Sequence, residues 1–250
     1  MKPIHTIEDV IINLDDIIAI SKTKNDPLGY FAALYRRVTI RVKEGIEAGF
    51  FDDGARMELL DVVFAKRYID AYFSYLRLEE VTGSWKIAFE VSQDYWPIVI
   101  QHLLVGINAH INLDLGIAAA EISKGKNIND LKGDFDKINE ILSSLVIEVE
   151  KDLSEIWPTF RKILKLFGNI DNFLIDFSME LARDGAWEFA KKLAMTSEET
   201  FDQRIIYRDQ KIKEKAFIIT NPGWTVRVIL GIMRIAESGS VADKIQKLIA

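Results

Sequence analysis

The feature that most constrains this chain is a long apolar stretch, 96–116, that also carries several polar residues. Its length, its composition and a proline near its start predict a helix that is buried on most sides. Burying a polar side chain costs free energy unless it finds a hydrogen-bond partner. Such a helix persists either because its polar groups satisfy one another across a core or because they hold a ligand. Those groups are Gln101, His102, Asn108, His110, Asn112 and Asp114.

Apolar residues spaced three and four apart recur along the whole chain, and alternating, strand-like runs are nearly absent. This pattern predicts an all-α protein, a single multi-helix bundle of about ten helices around the buried central helix. Capping residues and glycines place helices at about 7–20, 52–80, 97–123 and 134–157. No linker or repeat divides the chain, so 1–250 is predicted to be one domain, with two sub-bundles divided near 125 as the alternative.

The charge balance and the absence of cysteine exclude several classes of function. The chain has 250 residues and a formal net charge of −6. This acidic balance argues against a nucleic-acid partner, because a general nucleic-acid binder shows a basic face. Without cysteine, the chain has no disulfide, no thiolate metal site and no cysteine nucleophile.

The N-terminal residues include acidic side chains before any apolar run, which argues against a signal peptide, and the absence of cysteine fits a cytoplasmic location. The stretch 98–120 approaches membrane-spanning length. Because histidine, asparagine and aspartate side chains lie inside it, we expect a core helix and no membrane span.

His110 and Asp114 lie four residues apart and therefore share one face of the central helix. His102 falls on a neighbouring face, whereas Asn108 and Asn112 point to roughly the opposite side. In one interpretation, His110 and Asp114 bind a divalent metal, the candidate cofactor, which activates water for hydrolysis. The residues considered as further ligands are His102, Asp61, Asp70, Glu180 and Asp184.

Two other interpretations of the same pair need no metal. In the simpler one, Asp114 or a backbone carbonyl accepts a hydrogen bond from His110 within a buried network that only fixes helix packing. In the other, a pocket around these residues binds a small molecule or a lipid without chemistry. The sequence does not decide between the three interpretations, and it leaves the oligomeric state open.

Two arginines and several aromatic residues are further candidates for a ligand pocket. Arg67 and Arg183 sit among apolar residues, so each either binds an anionic ligand or, as we prefer, forms a core ion pair. The acidic partners expected for such a pair are Asp70, Asp184 and Glu180. Aromatic residues that either wall a pocket or simply fill the core are Tyr68, Trp96, Trp157 and Trp187.

Motifs of several well-known enzyme classes are absent from the sequence. It has no Gly-x-Gly-x-x-Gly, no phosphate-binding P-loop, no His-Glu-x-x-His and no Gly-x-Ser-x-Gly. Covalent serine catalysis is therefore not expected.

The segment 101–115 resembles a family of uncharacterised bacterial proteins that is known only as a domain of unknown function. The family's hallmark is Asn-Ala-His-Ile-Asn-x-Asp-Leu, which the chain matches from Asn108 to Leu115. The flanking segments 64–68 and 156–158 are also similar, and the resemblance spans roughly 30–240. It implies no activity, because none is established for the family.

A looser likeness links the chain to zinc-dependent phospholipase C and related helical nucleases, which bind metals through histidine and carboxylate pairs spaced by four. The chain departs from them because it has only 3 histidines and lacks the N-terminal tryptophan ligand. At most, this likeness implies a site with one metal.

Overall fold

The computed structural model describes residues 1–138, 140–142 and 179–249, with backbone only at 179–181. These residues form an all-α structure without a strand, which confirms the predicted fold class. The helices are α1 (Ile7–Lys24), α2 (Gly29–Glu47), α3 (Gly54–Leu76), α4 (Gly83–Glu90), α5 (Val99–Ala109), α6 (Leu115–Ile122), α7 (Met179–Ala194), α8 (Glu198–Thr220), α9 (Trp224–Ala236) and α10 (Val241–Ile249). Residues 132–138 are also helical, and Val91–Gln93 and Ile128–Leu131 form short 3₁₀ turns.

Side-chain caps explain where the first helices begin. Thr6 and Asp9 form a capping box at the start of α1, and Asp53 accepts a hydrogen bond from the amide of Arg56 at the start of α3. Two ends differ from the prediction. Helix α1 continues to Lys24, since Asn25 supplies a left-handed residue that ends it there. Helix α3 stops at Leu76, four residues before the predicted end.

Helices α5 and α6 form one continuous central helix, Val99–Ile122, joined by a π-helical turn at His110–Asp114. The most apolar window of this helix is 94% buried inside the protein, as expected for a core helix. It is nevertheless long and apolar enough to cross a membrane, and so is the bent pair of α8 and α9 when taken as one span. Length and composition are weak grounds for a span, so the expected absence of one stays a prediction.

The other helices surround the central helix. Its first half packs against α2, α4 and α8, and its second half packs against α3 and α7. Two glycines allow the closest contacts. A β-carbon on Gly106 would lie 2.5 Å from the ring of Phe31, and one on Gly116 would lie 2.8 Å from the carbonyl oxygen of Ala186. Missing side chains therefore let α2 and α7 approach the central helix.

Some sequence predictions fall outside the described residues. The predicted helix 134–157 is described only over its first residues, and Trp157 and the side chain of Glu180 are not described. The prediction of a single domain over 1–250 stays a prediction.

Candidate functional site

The π turn places His110 and Asp114 side by side in the protein interior. Both side chains are almost completely buried, and Nδ1 of His110 lies 3.3 Å from Oδ2 of Asp114. The sequence predicted that the two residues share a face, but it did not predict the π turn. Such a turn interrupts the regular helical hydrogen bonds and is found frequently at functional sites.

The carboxylate of Asp114 joins three elements of the bundle. Its Oδ1 accepts a hydrogen bond from Nε of Arg67 on α3 at 2.9 Å. Its Oδ2 accepts one from the indole nitrogen of Trp85 on α4 at 2.8 Å, in addition to the bond from His110. A buried carboxylate with an arginine and two further donors is fully compensated.

These contacts set the charge states of the pair. Burial lowers the pKa of His110, although the hydrogen bond and charge of Asp114 oppose this. Burial acts to raise the pKa of Asp114, but the bonds and charges of His110 and Arg67 outweigh it and lower that pKa. The site therefore holds a neutral imidazole beside an ionised carboxylate. Because a carboxylate only accepts, Nδ1 of His110 carries the proton and Nε2 is a hydrogen-bond acceptor.

Aromatic rings enclose the imidazole of His110. The ring of Phe64 stacks on it with centroids 3.6 Å apart, and the ring of Tyr35 meets it edge-on at 4.4 Å. Phe31, Trp85 and Tyr68 complete the shell at 5.6, 6.0 and 6.1 Å. Within the described residues, Nε2 of His110 is buried and has no hydrogen-bond partner.

Three other buried polar groups in or near this shell also lack hydrogen-bond partners among the described residues: the hydroxyls of Tyr35 and Tyr68 and Oδ2 of Asp61. Burial raises the pKa of all three groups, and that of Asp61 reaches about 8. The charge of Asp61 further raises the pKa of Tyr35, which places the two groups close enough to interact. Asp61 is therefore largely protonated at neutral pH.

The opposite side of the central helix uses its polar groups to attach α8. The side-chain amide of Asn108 donates to the carbonyl oxygen of Ile212 at 3.0 Å and accepts from Asn112 at 3.2 Å. Arg208 donates to the backbone carbonyl of Asn112, and Gln101 donates to that of Ile219, both at 3.0 Å. In the described part of the chain, none of these side chains keeps a buried nitrogen or oxygen without a partner. Asn108 and Asn112 thus serve helix packing.

His102 lines a small, partly open cavity of about 10 Å³, which His110 does not line. This volume is close to what one water molecule needs. Burial, together with the positive charge of Arg234, lowers the pKa of His102 to about 3, so this imidazole is neutral. The cavity shares three rings with the shell around His110, namely Phe31, Tyr68 and Trp85.

The predicted pairing of Arg67 with Asp70 is wrong, and the side chain of Glu180, a predicted partner, lies outside the described residues. Arg67 pairs with Asp114, 47 residues away in sequence, whereas Asp70 pairs with Lys66. Arg183 is buried, donates to the carbonyl oxygen of Phe135 and stacks on its ring at 5.1 Å. Helical spacing identifies residues on one helix, but these contacts join different helices.

The structure places the aromatic candidates in different parts of the protein. Tyr68 contributes to the shell of His110, and Trp187 packs on Phe135 in the core. Trp96 is 61% exposed and does not line the cavity beside His102.

The arrangement offers few further metal ligands around His110 and Asp114. Asp70 and Asp184 are not buried with the pair, Asp61 lies near Tyr35, and His102 lines a separate cavity. No group of three or more histidine, aspartate or glutamate residues able to hold a metal occurs within 1–138, 140–142 and 179–249. The metal prediction therefore stays a prediction.

Sequence reasoning missed several residues of the aromatic shell, as well as Glu237 at the start of the central helix; the missed shell residues are Phe31, Tyr35, Phe64 and Trp85. Trp85 donates a hydrogen bond to Asp114, and Phe64 stacks on His110. Both are aromatic residues within otherwise ordinary helices. Glu237 is buried, accepts from the amide of Val99 at the start of the central helix, and pairs with Arg234 and Lys244 at 2.7 Å. A buried indole nitrogen needs an acceptor, and this was the one available signal for Trp85.

Comparison with known proteins identifies the family but no activity. No curated protein and no solved structure matches the chain. The family described as "Family of unknown function (DUF5995)" matches residues 7–222, which is most of the chain and includes the whole central helix. The chain therefore belongs to the DUF5995 family, a family of unknown function.

Proposed function

We propose that this protein binds a small polar molecule at the His110–Asp114 pair, with Nε2 of His110 as the contacting atom. The observation that supports this proposal is the absence of a partner for this buried nitrogen within the described residues. An unsatisfied buried polar group costs about 1–3 kcal/mol, and native proteins keep few of them. A ligand that satisfies Nε2 recovers this cost.

The charge state of the pair determines which chemical group fits. Since Nδ1 donates to Asp114, Nε2 accepts, so the ligand offers a hydroxyl or an N–H donor. The buried hydroxyl of Tyr35, whose ring contacts the imidazole, is a candidate for a second contact. The aromatic rings around His110 favour a small ligand or a small part of a larger one.

The same geometry is suited to proton transfer. A neutral imidazole with a carboxylate behind it can accept a proton at Nε2, and Asp114 then stabilises the imidazolium. Arg67 balances the charge of Asp114 before this happens. The bound molecule is therefore a candidate substrate for general-base chemistry, in which His110 is the base.

The second candidate function is metal-dependent hydrolysis, one of the interpretations that the sequence allows. A metal would have to bind the same Nε2, because Nδ1 and the carboxylate of Asp114 are already engaged. The described residues offer no set of three ligands for it, so this function has less support. Metal analysis of protein purified without a nickel column tests it, and a transition metal near one per chain would favour it over the metal-free site.

Nitrogen NMR of protein labelled with ¹⁵N-histidine tests the metal-free site. We expect the Nε2 resonance of His110 to show an unprotonated, unbonded nitrogen that shifts when a fitting donor is added. Methanol and acetamide are the probes, since they offer a hydroxyl and an N–H group, and sodium acetate, which offers no donor, is the control. A Nε2 already bonded in the free protein, or no response to either donor, would contradict the proposal.

The variant Tyr35→Phe is the matched control for the free state. If the hydroxyl of Tyr35 supplies the bond to Nε2 in solution, its removal shifts the Nε2 resonance without any added probe. An unchanged resonance in this variant would show that the hydroxyl of Tyr35 does not bond to Nε2, so that this nitrogen is free for a ligand.

A further inference from the structure

Helix α9 exposes an apolar face although its other face is already buried. Ile229, Leu230 and Met233 pack into the core. The opposite face carries Trp224, Val228, Ile232 and Ile235, and Trp224 and Ile235 are each 78% exposed. A helix usually buries its apolar residues against a protein or a membrane, whereas its polar residues face solvent. The outer face of α9 therefore lacks a cover among the described residues.

The end of α8, which precedes α9 in the chain, also exposes apolar side chains. Phe217 and Ile218 are 60% and 62% exposed and lie just before the turn that leads to α9. We define the apolar strip as Phe217, Ile218, Trp224, Val228, Ile232 and Ile235. Large apolar side chains concentrated in one segment mark an interaction surface, whereas single exposed ones do not.

Basic residues outnumber acidic ones in the segment that carries the apolar strip. Between Arg204 and Ala236 the chain has seven basic and two acidic residues, although its overall charge is −6. Helix α9 itself contains no acidic residue. Arg227 is exposed beside the strip, as are Lys211 and Lys213 on α8, and none of the three forms an ion pair with a described residue.

We propose that the apolar strip and its basic residues attach this protein to the surface of an anionic lipid bilayer. A helix with apolar side chains, an exposed tryptophan and flanking arginine is typical of interfacial binding, where the helix lies in the plane of the membrane. The basic residues contact the anionic headgroups, and Trp224 inserts at the boundary of the hydrocarbon region. A second copy fits less well, because a symmetric contact would bring the same positive charges together.

Vesicle cosedimentation of the full chain tests this surface. The protein is mixed with phosphatidylcholine vesicles or with vesicles that also contain phosphatidylglycerol. We expect binding to the anionic vesicles and much weaker binding to the neutral ones. The double variant Val228→Gln, Ile232→Gln is expected to reduce the partition coefficient at least about tenfold, since two apolar side chains no longer insert. Arg227→Gln is expected to reduce it about fivefold.

Met195→Gln is the matched control, because Met195 is 83% exposed at the end of α7, outside the strip. It should bind vesicles like the unmodified protein, and all variants should keep the same melting temperature. The proposal is overturned if the unmodified protein does not sediment with anionic vesicles, or if Met195→Gln loses binding as much as the double variant. It is also overturned if 224–235 is covered without lipid, as shown by amide-exchange protection in the monomer or by a dimer that the double variant dissociates.

Discussion

The two polar sides of the central helix differ in how completely their hydrogen-bonding groups are used. On the side of Asn108 and Asn112, each amide contacts a partner, and together they attach the helix to the backbone of α8. On the side of His110 and Asp114, the carboxylate is fully used but Nε2 of the imidazole is not. Both sides are equally buried.

This difference separates groups that hold a fold together from groups that are available to a ligand. A network in which every polar group has a hydrogen-bond partner needs no ligand to account for it, because removing one member leaves the others unpaired. A buried group without a partner costs stability in the free protein. The following predictions test whether the two sides differ in this way.

Replacing Asp114 with alanine should produce the largest loss of stability. The change leaves Arg67, Trp85 and His110 without their common acceptor, and breaking a buried ion pair costs about 3–5 kcal/mol. Urea denaturation measures the free energy of unfolding, with Asp94→Ala at an exposed site as the control. A loss below about 1 kcal/mol would show that the carboxylate does not organise this side of the helix.

Replacing Asn108 with alanine should cost about 2 kcal/mol. The change removes the donor to the carbonyl of Ile212 and leaves the amide of Asn112 without its acceptor. The same denaturation experiment measures the effect. The proposed difference between the two sides of the central helix is contradicted if this loss of stability is no larger than that of His110→Phe.

Replacing Asp61 with asparagine should alter how stability depends on pH. Burial raises the pKa of Asp61 to about 8, above its value in the unfolded chain, so the folded protein binds more protons between these values. Its contribution to stability is therefore present at acidic pH and is lost as pH rises through 8, by up to about 1.4 kcal/mol per unit.

Denaturation curves at a series of pH values from acidic to alkaline measure this effect. Asp61→Asn should remove the contribution of this carboxyl group to the pH dependence of stability. The free energy of unfolding of the variant should therefore rise relative to that of the unmodified protein as pH rises. Parallel pH profiles for the two proteins would show that Asp61 is ionised in the folded state.

Replacing His110 with phenylalanine should cause the smallest change, within about 1 kcal/mol. The variant keeps a ring that stacks on Phe64 and removes the unpaired Nε2, which offsets the lost bond to Asp114. Thermal and urea denaturation measure the outcome. A loss as large as that of Asn108→Ala would mean that both sides of the helix serve packing alone.

Much of the fold follows from local patterns in the sequence. The buried central helix, its two polar sides and the shared face of His110 and Asp114 depend on spacing along one helix, which the chain fixes directly. The contacts of Arg67 with Asp114 and of Arg183 with the carbonyl oxygen of Phe135 could not be obtained in this way, because these partners lie on other helices. Packing determines which helices meet.

The sequence by itself determined an all-α chain with an imidazole and a carboxylate one turn apart inside its core. Only the tertiary structure decided that Trp85 and Arg67 donate hydrogen bonds to the carboxylate of Asp114 and that aromatic rings enclose the imidazole of His110. It also decided that Nε2 of this imidazole has no partner among the described residues. The physical reason is that periodicity records which side chains turn inward, whereas hydrogen bonding depends on the relative positions of helices distant in sequence.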